Sequence, residues 1–228
     1  MFSLGQNITD EQAMQLAIEV ARQGEGYVSP NPLVGCVVLD QNNKLVSMGA
    51  HLKLGEAHAE VHALSQIQDK SQLKGAKLFV TLEPCSHYGK TPPCVDLILQ
   101  YPIAKVVYGI KDPNPLVAGR SIQKLKDHGV EVEQAEGFEA SCRELCEQFL
   151  FHIQNKRPFI ALKVGVSLDG KMALGNGKSQ WITGSESRLY GRNLRARYDA
   201  TLIGAGTFLS DNPKLDFRET IFENKKKN

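Results

Sequence analysis

Apolar residues recur at Met14, Ala17, Ile18 and Ala21, the i, i+3, i+4, i+7 spacing of one helix face. Thr9 precedes them and Gln12 follows three positions later, the pattern of a capping box, so a helix is expected to start after Thr9. Gly24 and Gly26 come next, and Ser29-Pro30-Asn31-Pro32 makes a stiff loop. Residues 34–39 form a short apolar run closed by Asp40-Gln41-Asn42-Asn43, with a second run at 44–48. Two antiparallel strands joined by a turn are the expected outcome. Residues 57–67 place Val61, Leu64 and Ile67 on one side of a second helix. Further strands are expected at 78–82 and 106–110. Helices are expected from 95–99 and over 121–128, the latter stopped by Gly129. Strands alternating with helices predict a three-layer α/β/α domain.

The pattern changes after residue 150. Residues 139–153 read as one more helix, and Gln154-Asn155-Lys156-Arg157 as a polar joint. From Pro158 a new apolar run, 159–166, reads as a strand, Ser167-Leu168-Asp169-Gly170 as a turn, and 199–204 as another strand. The expected domains are therefore 1–152 and 158–228. No internal repeat is present, and 219–228 is polar and lysine-rich without periodicity.

Composition narrows the class. With 228 residues, 42% of them hydrophobic and 23% charged, the chain can bury the core of one large or two modest domains. A net charge of +2, with one basic run at Lys225-Lys226-Lys227, argues against a nucleic-acid footprint. No apolar run reaches the roughly 20 residues of a membrane-spanning helix. The stretch Met1-Phe2-Ser3-Leu4-Gly5-Gln6 lacks the charged and apolar regions of an export signal, so a cytoplasmic protein is expected. There, five cysteines read as ligands or buried thiols rather than disulfides.

Four residues carry chemistry. His58-Ala59-Glu60 sets an imidazole and a carboxylate two positions apart near a helix start. Cys85 follows the strand at 78–82, and Cys94 lies near the start of the next helix. Catalytic zinc takes three protein ligands and leaves its fourth position to water. Two thiolates and one imidazole at helix starts, where partial positive charge favours the thiolate, form such a set. Glu60 is then placed for general acid–base work on a zinc-activated water. His-x-Glu followed by Pro-Cys-x-x-Cys is the signature of zinc deaminases; here the second cysteine stands nine positions after the first. The insert carries Gly89, Pro92 and Pro93, so it can loop out and return Cys94 to the metal, with His87 over the site. Cys142 and Cys146, at i, i+4 with no histidine beside them, read as core or helix-surface residues, and His128 as a helix-end residue.

Longer stretches resemble one family. They are Asn31-Pro32-x-Val34-Gly35, Gly49-x-His51, His58-Ala59-Glu60-Val61, and the whole of Glu83 to Cys94 with its long insert. These are similar to the bifunctional deaminase–reductase family of riboflavin biosynthesis, RibD. Later stretches follow: Lys163 to Gly170, Ser179-Gln180-Trp181-Ile182-Thr183, Asp199 through Gly206-Thr207, Asp211-Asn212-Pro213, and Leu215-x-x-Arg218. The resemblance implies a cytidine-deaminase-like domain followed by a dihydrofolate-reductase-like α/β domain. It implies zinc-dependent deamination of 2,5-diamino-6-ribosylamino-4(3H)-pyrimidinone 5′-phosphate, then NADPH-dependent reduction of the ribosyl ring to a ribityl chain. It makes Asn31, His51 and Lys90 candidates for holding the pyrimidine and phosphate. An Asn can pair with a base edge and a Lys supplies a point charge; turn-capping and solvation are the plainer alternatives for Asn31 and Lys90. It points to Gly165, Trp181, Thr207 and Asp211 for the cofactor, and to Ser179, Arg195, Leu215 and Arg218 for the second substrate. Trp181 fits a core position equally well.

Family members continue beyond the motif at Arg218, whereas residues 219–228 do not read as more of the fold. The expectation is an incomplete reductase domain, an impaired second activity, and self-association or instability from exposed apolar surface. The rival within the same zinc chemistry is a nucleoside or tRNA deaminase. The long cysteine spacing, the near-neutral charge and the second domain count against it. A purely structural zinc would call for a fourth protein ligand.

Overall fold

A computed structural model describes residues 2–88, 92–114 and 119–216. The chain divides into two units, Met1–Phe159 and Ile160–Asn228.

The first unit is built on five strands: β1 (Gly35–Leu39), β2 (Leu45–Ala50), β3 (Lys77–Leu82), β4 (Lys105–Ile110) and β5 (Glu131–Gln134). They lie in the order β2-β1-β3-β4-β5. β1 runs antiparallel to β2 and β3, while β3, β4 and β5 run parallel to one another. The β1–β2 hairpin forms as the two runs and the turn residues between them predict. Asn43 takes the left-handed backbone (φ 62°) that its turn demands, a conformation Asn tolerates better than most residues.

Among the described residues six α-helices accompany the sheet: α1 (Asp10–Ala21), α2 (Ala59–Ser65), α3 (Cys94–Ile98), α4 (Arg120–Asp127), α5 (Glu139–Leu145) and α6 (Glu147–Asn155). The capping box at α1 is complete: Gln12 N donates to Thr9 Oγ1 at 3.1 Å, and Thr9 N donates to Gln12 Oε1 at 2.9 Å. Strand side chains alternate between two cores. Val37, Leu39, Phe79 and Val107 pack with α1 and with Cys142 and Leu145 of α5. Cys36, Val38, Leu78, Val80 and Val106 pack with Ala63 and Leu64 of α2, Val95 and Ile98 of α3, and Leu125 of α4. Two cores on opposite faces of one sheet make the expected three layers. Fully buried residues of this size contribute roughly 1.5–3 kcal/mol each before entropy is counted.

One close approach bears on the site. A Cβ on Gly49 of β2 would meet the backbone Ala59 O at 2.8 Å and Ala63 Cα at 2.9 Å. Glycine there lets the backbone of α2 lie against β2, which sets the helix carrying Glu60.

Several boundaries differ from expectation. α2 is shorter than 57–67. The helix expected over 139–153 is two, broken at Cys146, whose backbone leaves the helical region (φ −108°, ψ 13°). The Cys146 thiol donates to Leu33 O at 3.2 Å, a tie that favours a break over a continuous helix. β5 was not expected: it is polar and mostly exposed, and forms through its ladder to β4.

The second unit carries α7 (Ser185–Leu194) and α8 (Ala205–Asp211). The strands expected at 159–166 and 199–204 do not form. A strand needs a neighbour to satisfy its backbone, and no segment among the described residues pairs with either. Ala196 is the one buried residue of this unit among those described. Trp181 is 69% exposed, so it is not a core residue. Among the described residues, no helix of either unit is long and apolar enough to cross a membrane.

Candidate metal centre

The site is assembled where β3 ends and two helices begin. His58 is the N-cap of α2, with extended backbone, and Cys94 opens α3. Cys85 comes three residues after β3, where the Cys94 amide donates to its Sγ at 3.2 Å and the Val95 amide to its carbonyl at 3.2 Å. Segments far apart in the chain thus deliver three donor atoms to one point. His58 Nδ1 lies 3.2 Å from Cys94 Sγ and 3.6 Å from Cys85 Sγ, and all three atoms fall within 4.8 Å of one another.

Those separations fit tetrahedral zinc. Zn–N near 2.1 Å and Zn–S near 2.3 Å place N and S ligands about 3.6 Å apart, and two S ligands about 3.8 Å apart. Electrostatics agree with the geometry. The Cys94 thiol donates to Cys85 and His58 lies alongside, which brings the Cys85 thiol down to about 4; Cys94, as donor and by burial, moves up. The bond to Cys85 raises His58 against its burial. Negative charge on a half-buried thiolate beside a buried sulfur and an imidazole is an environment that suits a thiophilic dication.

Glu60 lies in the first turn of α2 and is 3% exposed. Burial raises its carboxyl, and the Cys85 charge adds to the effect. It is not among the three clustered donors, so the described residues supply three ligands and a separate buried carboxylate, an open rather than a closed site. Cys36 of β1, also raised by burial and then by Glu60, backs the carboxylate.

Asn31 and His51 are brought together. Asn31 Nδ2 lies 3.0 Å from His51 Nε2, and His51 Nδ1 lies 3.0 Å from Ala57 O. The carbonyl requires the proton on Nδ1, which leaves Nε2 to accept from the Asn31 amide. Burial lowers the His51 pKa, in keeping with this neutral ring. The His51 ring meets His58 edge-on at 5.5 Å between centroids. Lys90 and Arg218 lie outside the described residues.

Sequence reasoning assigned no role to Glu83. It is a buried carboxylate, 3% exposed, two residues before Cys85. The signal was present: a charge directly after the apolar run 78–82 has to be satisfied where that strand ends. Asp112 also lies close by. Its carboxyl is raised by burial, and the charges of Glu83 and Cys85 add to this against a bond from the Asn114 amide.

The second-unit candidates are not gathered in the same way. A pocket of about 220 Å³ is lined by Lys163, Val164, Gly165, Thr183, Ser187, Tyr190 and Leu194, so of the cofactor candidates it includes Gly165 alone. The Arg188 guanidinium lies 4.3 Å from the centre of the Trp181 ring. Ser179 is exposed, and Thr207 and Asp211 are exposed on α8. Arg195 donates to Asp216 O at 2.9 Å, and Leu215 has a left-handed backbone (φ 53°).

Comparisons with known proteins separate the two regions in the same order. Residues 7–110 match the cytidine and deoxycytidylate deaminase zinc-binding region, and residues 158–227 match the RibD C-terminal domain. The chain is 48% identical over 209 residues to the riboflavin biosynthesis protein RibD of Bacillus amyloliquefaciens, covering 92% of this chain and 55% of that protein. The crystal structure of the Thermotoga maritima diaminohydroxyphosphoribosylaminopyrimidine deaminase/5-amino-6-(5-phosphoribosylamino)uracil reductase superposes with a TM-score of 0.83 at 45% identity. That match covers 92% of this chain and 59% of the other. Acinetobacter baumannii RibD gives 0.82 at 42% identity, over 93% of this chain and 58% of that one. The chain thus spans little more than half the length of the relatives it matches. Its two matched regions, and an identity sustained across nine-tenths of its residues, place the chain in the RibD family.

Proposed function

We propose that the first unit is a zinc-dependent deaminase acting on 2,5-diamino-6-ribosylamino-4(3H)-pyrimidinone 5′-phosphate. The observation that carries this reading is the three-donor cluster of His58, Cys85 and Cys94 beside a buried carboxylate that is not part of it. These three residues would hold zinc, which would supply a Lewis acid to make water nucleophilic near neutral pH. Glu60 takes a proton from the attacking water and returns it to the departing amino group. Water adds across the ring C=N bond, its oxygen to the carbon and one proton to the ring nitrogen; the exocyclic C–N bond then breaks, ammonia leaves with the proton that Glu60 returns, and the carbonyl forms. Asn31, with its amide oriented by His51, pairs with the base edge, and Lys90 meets the phosphate. None of the five cysteines is in a disulfide, which suits a reducing cytoplasm.

For the second unit, the family resemblance supports NADPH-dependent reduction of the deaminated product in the whole-length relatives. Gly165, Trp181, Thr207 and Asp211 are assigned to the cofactor, and Ser179, Arg195, Leu215 and Arg218 to the substrate. In this chain Ile160, Leu162 and Leu202 are more than 80% exposed. The cofactor candidates do not share one pocket. Both observations support deamination without reduction, and a tendency of this unit to self-associate through its apolar residues.

The test is ammonia release from the phosphoribosyl diaminopyrimidine by the zinc-loaded chain, with cytidine and tRNA alongside and with a chelator arm. Chelator-sensitive release from the first substrate alone is expected. Release from cytidine or tRNA instead overturns the substrate assignment, and NADPH oxidation with the deaminated product overturns the reading of the second unit.

A further inference from the structure

Glu83 has no part in the reaction above, yet its environment is constructed around it. Its amide donates to Ile110 O at 2.8 Å, which fixes its backbone to the end of β4. Its side chain crosses to the connection between β4 and α4. Oε2 accepts from the Asp112 amide at 3.3 Å and the Gly119 amide at 3.1 Å, and Oε1 accepts from the Ser121 hydroxyl at 2.6 Å. The donors come from both ends of the connection: Asp112 where the chain leaves β4, Gly119 and Ser121 where α4 begins. Among the described residues no cation pairs with the carboxylate, so these neutral donors account for its burial.

The described ends of the connection are thereby tied to a residue that stands two positions before the candidate ligand Cys85. The ligands do not lean on Glu83 in the same way. Cys85 is held by the Cys94 and Val95 amides on the other side.

We propose that Glu83 is a positioning residue: its carboxylate gathers both ends of the β4–α4 connection and holds them beside the metal centre as a wall of the substrate pocket. The inference rests on the deaminase reading for its kinetic consequence and on the hydrogen bonds alone for its structural one. Removing the carboxylate loosens a surface that binds the ground state and the transition state alike, which raises KM and spares kcat. A glutamine in its place keeps an oxygen for the two amides and offers its NH2 to the Ser121 oxygen, which accepts as readily as it donates.

The experiment uses the full chain as wild type, Glu83→Ala, Glu83→Gln and Ser121→Ala. Kinetics are measured on the zinc-loaded protein, visible spectra on the cobalt-loaded protein, and amide hydrogen exchange on the zinc form. Glu83→Ala is expected to raise KM about tenfold with kcat within about threefold, and to keep the wild-type cobalt spectrum. Its Asp112 and Gly119 amides exchange at least about tenfold faster, while those of Cys94 and Val95 do not change. Glu83→Gln stays within about threefold of wild type on every readout, and Ser121→Ala moves KM in the same direction by less. If Glu83→Ala does not fold, Glu83→Gln and Ser121→Ala decide on the same criteria. Unchanged KM and exchange, an altered cobalt spectrum, or Glu83→Gln as damaged as Glu83→Ala each overturn the proposal. Should the wild type release no ammonia, the deaminase reading falls. Exchange then decides alone, equal rates at Asp112 and Gly119 in wild type and Glu83→Ala overturning the positioning role.

Discussion

Replacing Glu60 by Gln tests the proton carrier without disturbing the ligand set. The substitution preserves shape and removes only the ability to take a proton. Glutamine fills the same space and leaves the donors of His58, Cys85 and Cys94 unchanged, so zinc is expected to stay. Positioned acid–base groups are worth about 10²–10⁴-fold, which is about 3–5 kcal/mol at 1.36 kcal/mol per decade. Burial selects the upper part of this range. Glu60 is 3% exposed, so bulk water and buffer do not reach the position to act in its place. The expected result is a fall in kcat of about 10³–10⁴-fold with KM within about threefold. The assay is steady-state ammonia release, with zinc content measured on the same samples. Retention of more than about a tenth of kcat at full zinc occupancy would refute the role of Glu60. Loss of zinc in Glu60→Gln would refute it differently, by placing the carboxylate among the ligands.

Chelation is expected to lower Tm as well as to stop ammonia release, because His58, Cys85 and Cys94 tie three separate segments through one ion. Binding at about 1,000 times Kd is worth about 4 kcal/mol, and an unchanged Tm after verified zinc removal would count against a site preformed by the fold. Gly109→Ala is expected to destabilise the first unit by about 2–3 kcal/mol in denaturant titration, since the new Cβ would meet Thr81 O at 2.6 Å and would also run into Cys142 Sγ. Adding Cys142→Ala should recover only part of that loss, because the backbone contact remains; full recovery would show the sulfur to be the whole obstacle. Lys105 is 17% exposed and its pKa is raised, first by Glu133 and with Glu131 adding to it. A raised folded pKa means that these pairs stabilise below the unfolded lysine pKa, and that the contribution is lost as pH rises through the folded one. Lys105→Met should therefore lose up to about 1 kcal/mol at neutral pH, a figure reduced for partners more than half exposed, and the gap to wild type should close at strongly alkaline pH. A gap independent of pH would assign it to packing of the lysine stem.

The first unit was legible where its signals are local. Thr9 and Gln12 satisfy each other across three residues, and the 34–39 and 44–48 runs need only the turn between them. The metal centre was legible because ligand chemistry restricts residue types. His58, Cys85 and Cys94 are short of a site individually, and their order around two helix starts made them one. What the pattern missed depends on contacts across the fold. The helix break at Cys146 follows from a thiol reaching Leu33, 113 residues earlier. β5 has one apolar residue, Val132, and the ladder to β4 decides its state, as befits an edge strand. Glu83 was visible as a charge after an apolar run, but its partners at 112, 119 and 121 carry no motif.

The second unit shows the limit of periodicity from the other side. Residues 159–166 carry a strand's composition, and Ile160, Leu162, Val164 and Val166 alternate as the residues of one face would. All four are exposed or half-buried, and no strand is present. Alternation states what a segment would bury and is silent on what would cover it. A backbone ladder needs a second strand, and an apolar face needs a second layer. In the first unit both were within the chain: β1 found β2 and β3, with α1 above and α2 below. In the second unit the described residues offer α7 and α8 and one buried residue, Ala196. The zinc ligands, read from their own chemistry, and the cofactor motifs, read from resemblance, therefore fare unequally. The first set of residues converges within 4.8 Å beside a packed core, whereas Trp181, Thr207 and Asp211 of the second are exposed.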